Sequence, residues 1–188
     1  MVKIYTRKGD DGTTGLLFGG RVPKDAPGIE LNGAVDEAQA AMGLARAEAV
    51  PGSDLDDLLL GLERDLYVLM AEVATATANR HKLTAGASLV TAEMVGALES
   101  HIDALSERFE MPKEFVVPGQ NRASAALDVA RTVVRRAERD LVRAPTVPPD
   151  SHVGPYLNRL SDLLWTMARW QEGEHVQSRS LGRAPGGS

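Results

Sequence analysis

The sequence predicts an all-α fold: a five-helix bundle of ferritin-like, up-and-down type, led in by a glycine-rich N-terminal loop. Three observations carry this. Alanine and leucine dominate, and aromatics make up only 4% of the chain, a composition that favours helices. Apolar residues recur every three or four positions in five separate segments, the spacing of one helix face. Glycine- and proline-containing stretches interrupt that periodicity between segments, where chain reversals belong. At 188 residues the chain is expected to be one domain with a substantial core. It divides into a loop (1–27), a helical body (28–175) and a tail (178–188) expected to be disordered.

Residues 1–27 show no helical period and read as a short extended start, VKIYT, followed by loop. The first helix spans Ile29 to about Ala49, with Leu31, Val35, Ala38, Met42 and Ala45 as its stripe. Pro51 and Gly52 end it. Ser53 is an N-cap, with Asp54 and Asp56 suited to the helix dipole, for a second helix reaching about Thr77. NRHKLTAGAS reads as loop. Thr91 caps the third helix, which runs through Met94, Leu98, Ile102 and Leu105. MPKEFVVPGQ connects it to the fourth, with Pro118-Gly119 as the turn. The fourth helix covers Asn121 to Arg143, and APTVPPDSHVGP is the next loop. The fifth helix carries Leu157, Leu160, Leu164, Met167 and Trp170.

Charge and composition narrow the function. A net charge of −5 argues against general nucleic-acid binding, which wants a basic surface. No apolar run of about 18 residues suggests a membrane span. The N-terminus lacks an apolar signal core, so a cytoplasmic location is expected. The chain has no cysteine, which excludes disulfides, thiolate zinc sites and a cysteine nucleophile. Paired Glu-x-x-His motifs of a di-iron bundle are missing; a single match, Glu172 to His175, has a glycine inside it. His81, His101 and His152 form no ligand spacing, and no G-x-S-x-G elbow exists.

Two segments stand out. The loop YTRKGDDGTTGLLFGGRVPKD places Gly9, Gly12 and Gly15 three apart, beside Thr6, Thr13 and Thr14 and the charges of Arg7, Lys8 and Lys24. Glycines let backbone N–H groups approach a phosphate. The Walker pattern fails, because Arg21-Val22 stands where Lys-Ser/Thr is required. The residues allow a flexible arm or an unusual polyphosphate cradle. The second segment, RTVVRRAERDLVR, puts Arg131, Arg135, Glu138 and Arg139 within about 100° of the helix circumference at 100° per residue. A solvated charged face would look the same. Arginine without lysine favours fixed, bidentate contact with phosphate or carboxylate, and Asp36 and Glu37 are candidate carboxylate partners.

Taken together, YTRKGDDGTTG, RVPKD, VDE (35–37), FVVPG (115–119), RTVVRRAER (131–139) and YLNRLSD (156–162) resemble the PduO-type ATP:cob(I)alamin adenosyltransferases, over residues 3–175. The resemblance implies a homotrimer of five-helix bundles binding ATP and corrin between subunits. Thr6, Arg7, Lys8, Gly9, Thr14, Gly15 and Lys24 then resemble the ATP-binding loop. Arg135, Arg136, Ala137, Glu138, Arg139 and Asn158 resemble further ATP contacts, with Glu138 a candidate magnesium ligand. Asp36 and Arg131 resemble the pair that bridges the subunit interface, and Phe115 the aromatic that displaces the lower ligand of the corrin; ordinary core packing is the other reading of Phe115. Catalytic roles thus fall to Arg131, Arg135, Asp36 and Phe115. Ala38, Gln39 and Gln120 depart from the family pattern, and Gln120 sits near the expected corrin loop.

The implied reaction moves the 5′-deoxyadenosyl group of ATP to Co(I) and releases triphosphate, making adenosylcobalamin. Co(I) is itself the nucleophile, which suits a protein without cysteine or a histidine constellation. The protein's tasks are alignment and stabilisation of the departing triphosphate. An adenosylcobalamin carrier serving a dependent mutase is the alternative, and a purely structural bundle the third; a cobalamin reductase would be a further partner of the enzyme.

Overall fold

A computed structural model of the chain describes residues 3–174 and 176–178. The described chain is mostly helical. A short antiparallel hairpin comes first, β1 (Thr13–Gly15) and β2 (Arg21–Pro23). Then follow α1 (Pro27–Ala47), α2 (Asp54–Val73), a 3-10 turn (Thr77–Lys82), α3 (Ala92–Ser106), α4 (Arg122–Leu141) and α5 (Val153–Glu172). None of the described helices is long and apolar enough to cross a membrane.

Local chemistry sets most boundaries. Pro27 opens α1, where its missing N–H costs nothing. The Ser53 side chain accepts from the Asp56 N–H at the start of α2, and Thr91 accepts from the Met94 N–H at the start of α3. Asn121 and Ser124 form a reciprocal capping box on α4. Gly173, at φ 71, ends α5.

Three boundaries depart from the sequence expectation. The N-terminal segment is not all loop: Thr13 pairs with Pro23, Thr14 with Val22 and Gly15 with Arg21. The strands are too short to leave a periodic signal. Helix α2 stops at Val73 rather than near Thr77. The Ala74 carbonyl accepts from the Leu17 N–H at 2.9 Å, so the hairpin loop takes over an end group that a longer helix would have satisfied itself. Helix α5 begins at Val153, inside the expected loop, because Pro155 lies in the first turn and needs no N–H partner there. His175 and residues 179–188, which include nearly all of the expected tail, lie outside the described residues.

Contacts fix the helix directions. Arg46 reaches Asp56 and Glu63 across an antiparallel α1–α2 pair. Glu37 meets Arg136 and Gly28 abuts Thr146, so α1 and α4 are antiparallel. Asp128 meets Arg169, while Glu138 meets Asn158, so α4 and α5 are antiparallel. Glu99 bonds Arg159 and Arg108 covers Trp170, so α3 runs parallel to α5. Leu31, Val35, Leu66, Leu127, Val134 and Leu160 are fully buried between these helices.

One buried charge ties the loops to this core. Glu72 has no exposed surface. It accepts from Arg80 Nη2 at 2.7 Å, the Val90 N–H at 2.8 Å and the Ser151 hydroxyl at 2.6 Å. A carboxylate this buried needs such a full set of donors. It binds the 3-10 turn, the approach to α3 and the α4–α5 connection to the end of α2.

Candidate active site

The N-terminal loop is organised by its own side chains. Arg21 donates Nε and Nη2 to the Thr13 hydroxyl oxygen at 2.9 and 2.6 Å, and Nη2 also reaches the Thr13 and Lys8 carbonyls. The Thr13 hydroxyl and N–H donate to Asp11 Oδ1 at 2.8 and 3.0 Å. These bonds, helped by the Arg21 charge, hold the Asp11 carboxyl below its usual range. A Cβ on Gly9 would lie 3.2 Å from Lys24 Cε and Nζ and 3.1 Å from the Thr13 carbonyl. A larger residue at position 9 would crowd both the lysine end and that carbonyl. The loop therefore brings Gly9, Thr13 and Lys24 together. Arg7 takes φ 60, a strained value for a side-chain-bearing residue, and stacks over Tyr5 at 5.4 Å. Thr6 accepts from the Lys8 N–H at 3.4 Å. Thr14 and Gly15 lie in β1.

The arginine face of α4 has mixed partners. Arg136 pairs with Glu37 of α1, one of the two carboxylates singled out from sequence. Glu138 accepts from Asn158 Nδ2 at 2.9 Å, and the Asn158 side-chain oxygen accepts from Arg159. Arg139 donates to the Arg135 carbonyl at 2.8 Å. Ala137 is buried. Arg135 is exposed, and its guanidinium has no hydrogen-bond or ion-pair partner among the described residues. Asp36 is likewise exposed and unpaired among them. No hydrogen bond or ion pair of the described residues joins the N-terminal loop to α4. The two share one end of the fold, since the loop runs into α1, whose Gly28 touches Thr146 just beyond α4.

A cavity of about 760 Å³ brings other predicted residues together. Phe115, Val116 and Pro118 form one wall; Asp128, Arg131, Trp165 and Arg169 form another. Phe115 is 89% exposed. The core-packing reading of this residue is therefore overturned. Its loop is strapped from behind: the Ser178 N–H donates to the Phe115 carbonyl at 2.8 Å and the Val117 N–H to Val176 at 2.9 Å. Gly119, at φ 111, makes the expected turn. Arg131 Nε binds Asp128 Oδ1 at 3.1 Å. Asp128 Oδ2 accepts from Arg169 Nη2 at 2.5 Å, and Arg169 Nε lies 2.8 Å from Glu172. Asp128, Trp165, Arg169 and Arg21 were not singled out from sequence. The i, i+3 spacings of Asp128–Arg131 and Arg169–Glu172 were available signals, but nothing in a linear chain joins the two pairs. Glu172, half of the lone Glu-x-x-His match, is committed to Arg169. No group of three or more His, Asp or Glu poised for a metal exists among the described residues.

The cobalamin adenosyltransferase family matches residues 4–171 of this sequence. A corrinoid adenosyltransferase of Citrobacter freundii is 40% identical over 173 residues, covering 92% of this chain and 96% of that one. The corrinoid adenosyltransferase of Bacillus subtilis is 39% identical over 174 residues, 89% of this chain and 86% of that one. A variant PduO-type ATP:corrinoid adenosyltransferase from Lactobacillus reuteri, solved in complex with cobalamin and ATP, superposes with a TM-score of 0.83 at 27% identity, covering 94% of this chain and 99% of that one. The helical fold and its motifs thus fall in one class of protein. The chain belongs to the cobalamin adenosyltransferase family, and the resemblance read from its motifs is borne out.

Proposed function

We infer that this chain is an enzyme that transfers the 5′-deoxyadenosyl group of ATP to Co(I) of a corrinoid, forming adenosylcobalamin and releasing triphosphate. The observation that carries the reading is the cavity in which the exposed Phe115 loop faces Arg131, one helical turn from Arg135, whose guanidinium has no partner among the described residues. An apolar aromatic beside a guanidinium suits a ligand with a flat macrocycle and a polyanionic neighbour.

In this reading the loop residues Thr6, Arg7, Lys8, Gly9, Thr14, Gly15 and Lys24 bind the phosphates. The closeness of Lys24 to Gly9 supports a compact cationic cradle. Arg135, Arg136, Ala137, Glu138, Arg139 and Asn158 form the helical half of the ATP site. Arg135 aligns and neutralises the leaving triphosphate. Phe115 covers the lower face of the corrin and keeps water and the lower ligand away. Asp36 of one copy reaches Arg131 of the next, which fits an Asp36 carboxylate and Arg131 Nη groups that have no partner among the described residues.

Glu138 is the residue that would hold magnesium. A lone carboxylate fits that ion, which is commonly held by one or two carboxylates with the rest supplied by water and phosphate. Bound there, magnesium would offset charge on the triphosphate. We read the helices as a single-domain, ferritin-like, up-and-down five-helix bundle that assembles as a trimer in the cytoplasm. A reductase would deliver Co(I), and a mutase would take the product.

The test mixes purified protein, ATP, magnesium and chemically reduced cobalamin. Light-sensitive adenosylcobalamin and triphosphate should form in equal amounts over many turnovers. Product held at one equivalent without turnover would favour a carrier instead, and no product at all would overturn the enzyme.

A further inference from the structure

From the cavity wall into the core runs a row of charges of which the reading above uses only Arg131. Arg131, Asp128, Arg169 and Glu172 alternate in sign along the α4–α5 contact. Asp128 is 4% exposed and Arg169 is 1% exposed. Arg169 also lies over the Trp165 ring at 5.6 Å. A buried carboxylate that only had to neutralise Arg169 would be redundant, because Glu172 already does so. Asp128 joins that pair to a second cation, Arg131. Leaving a charge unmatched at such depth is strongly unfavourable.

We propose that Asp128 is a positioning residue for Arg131: buried and held from behind by Arg169, it grips Arg131 through Nε and turns the other edge of the guanidinium toward the cavity. This rests on the functional reading above. The geometry supports it directly. Asp128 uses Oδ1 for Arg131 at 3.1 Å and Oδ2 for Arg169 at 2.5 Å, so it cannot swing without breaking a buried bond. Arg131 engages Asp128 only through Nε, and its Nη groups have no hydrogen-bond partner among the described residues. A planar fork fixed at one edge presents the remaining donors in one direction. The group those donors meet is a carboxylate of a second copy, Asp36 in the reading above, at the mouth of the corrinoid cavity. Asp128 thereby acts through Arg131.

The experiment is a double-mutant cycle with Asp128→Asn and Arg131→Lys, read by adenosyl transfer and by cob(II)alamin affinity from quenching of tryptophan fluorescence. Asp128→Asn keeps the shape and loses the charge. It should lower kcat/KM for the corrinoid about tenfold or more while KM for ATP stays within about twofold, the loss expected when about 1.4 kcal/mol of transition-state stabilisation is removed. In the Arg131→Lys background the same change should have little further effect, because the two residues act as one unit. Asp128→Glu, which keeps the charge, should recover part of the loss. Wild-type behaviour in Asp128→Asn overturns the inference. So do losses that multiply independently, or a loss that merely follows the folded fraction seen in thermal melts. A native protein that binds cob(II)alamin but transfers nothing overturns the enzyme and leaves the binding cycle to decide on Asp128. A native protein that neither binds nor transfers overturns both.

Discussion

The hydroxyl of Tyr156, fully buried on α5, donates to Oδ2 of Asp65 on α2 across 3.0 Å. Burial raises the Asp65 carboxyl above its usual range, and the tyrosine bond and the nearby His101 only partly offset this. The folded protein therefore holds that proton more tightly than the unfolded chain, whose aspartates titrate near about 3.9. Stability from this group is present at low pH and declines as pH rises through the window between the unfolded value and the raised folded one. Asp65→Asn keeps an acceptor for the tyrosine and removes the titration. The melting temperature of the variant, relative to the native protein, should be higher at pH 7 than at pH 4. An equal difference at both pH values would refute the assignment.

Glu72 is a fully buried charge with Arg80, Val90 and Ser151 as donors. Glu72→Ala leaves Arg80 without its counter-ion and removes the anchor of three connections. Breaking one side of a buried pair costs about 3–5 kcal/mol. Urea titration should show a loss of that order. A shift below about 1 kcal/mol would mean that water replaces the carboxylate at little cost.

Arg135 bears no structural load, since its guanidinium is exposed and unpaired among the described residues. Arg135→Lys should leave the melting temperature unchanged. It should lower kcat/KM for ATP roughly tenfold or more, because lysine offers a point charge in place of a bidentate fork. Unchanged kinetics would remove Arg135 from the phosphate site.

Phe115 presents nearly its whole side chain to solvent in a single chain. Phe115→Ala should alter unfolding free energy by less than about 0.5 kcal/mol, as for other surface changes. Transfer to the corrinoid should fall about tenfold or more with ATP affinity retained, measured by steady-state kinetics and by calorimetry with ATP. A large stability loss with normal transfer would mean that its role is packing.

Much of the helical fold was legible because its signals are local. Ser53, Thr91 and Asn121 cap helices by bonding N–H groups three residues on, which a linear reading can see. The hairpin was not legible. Its three-residue strands are held by Arg21 reaching back to Thr13 and Lys8, and a side chain's long-range choice of partner leaves no period. The early end of α2 was hidden for a similar reason, because it depends on the arrival of Leu17 at Ala74.

The candidate site divides along the same line. Residue types at fixed spacing pointed to the glycine loop and the arginine face as candidates, whereas Phe115 was pointed to by the family resemblance and not by spacing. The pairing of Arg136 with Glu37, the strapping of the Phe115 loop by residues 176–178 and the row from Arg131 to Glu172 were decided by helix packing. Sequence alone determined which helices form and which chemistry the protein can offer. The tertiary structure decided which charges spend themselves on one another and which, like those of Arg135 and Asp36, stay open, because the cost of burying a charge depends on neighbours far away along the chain.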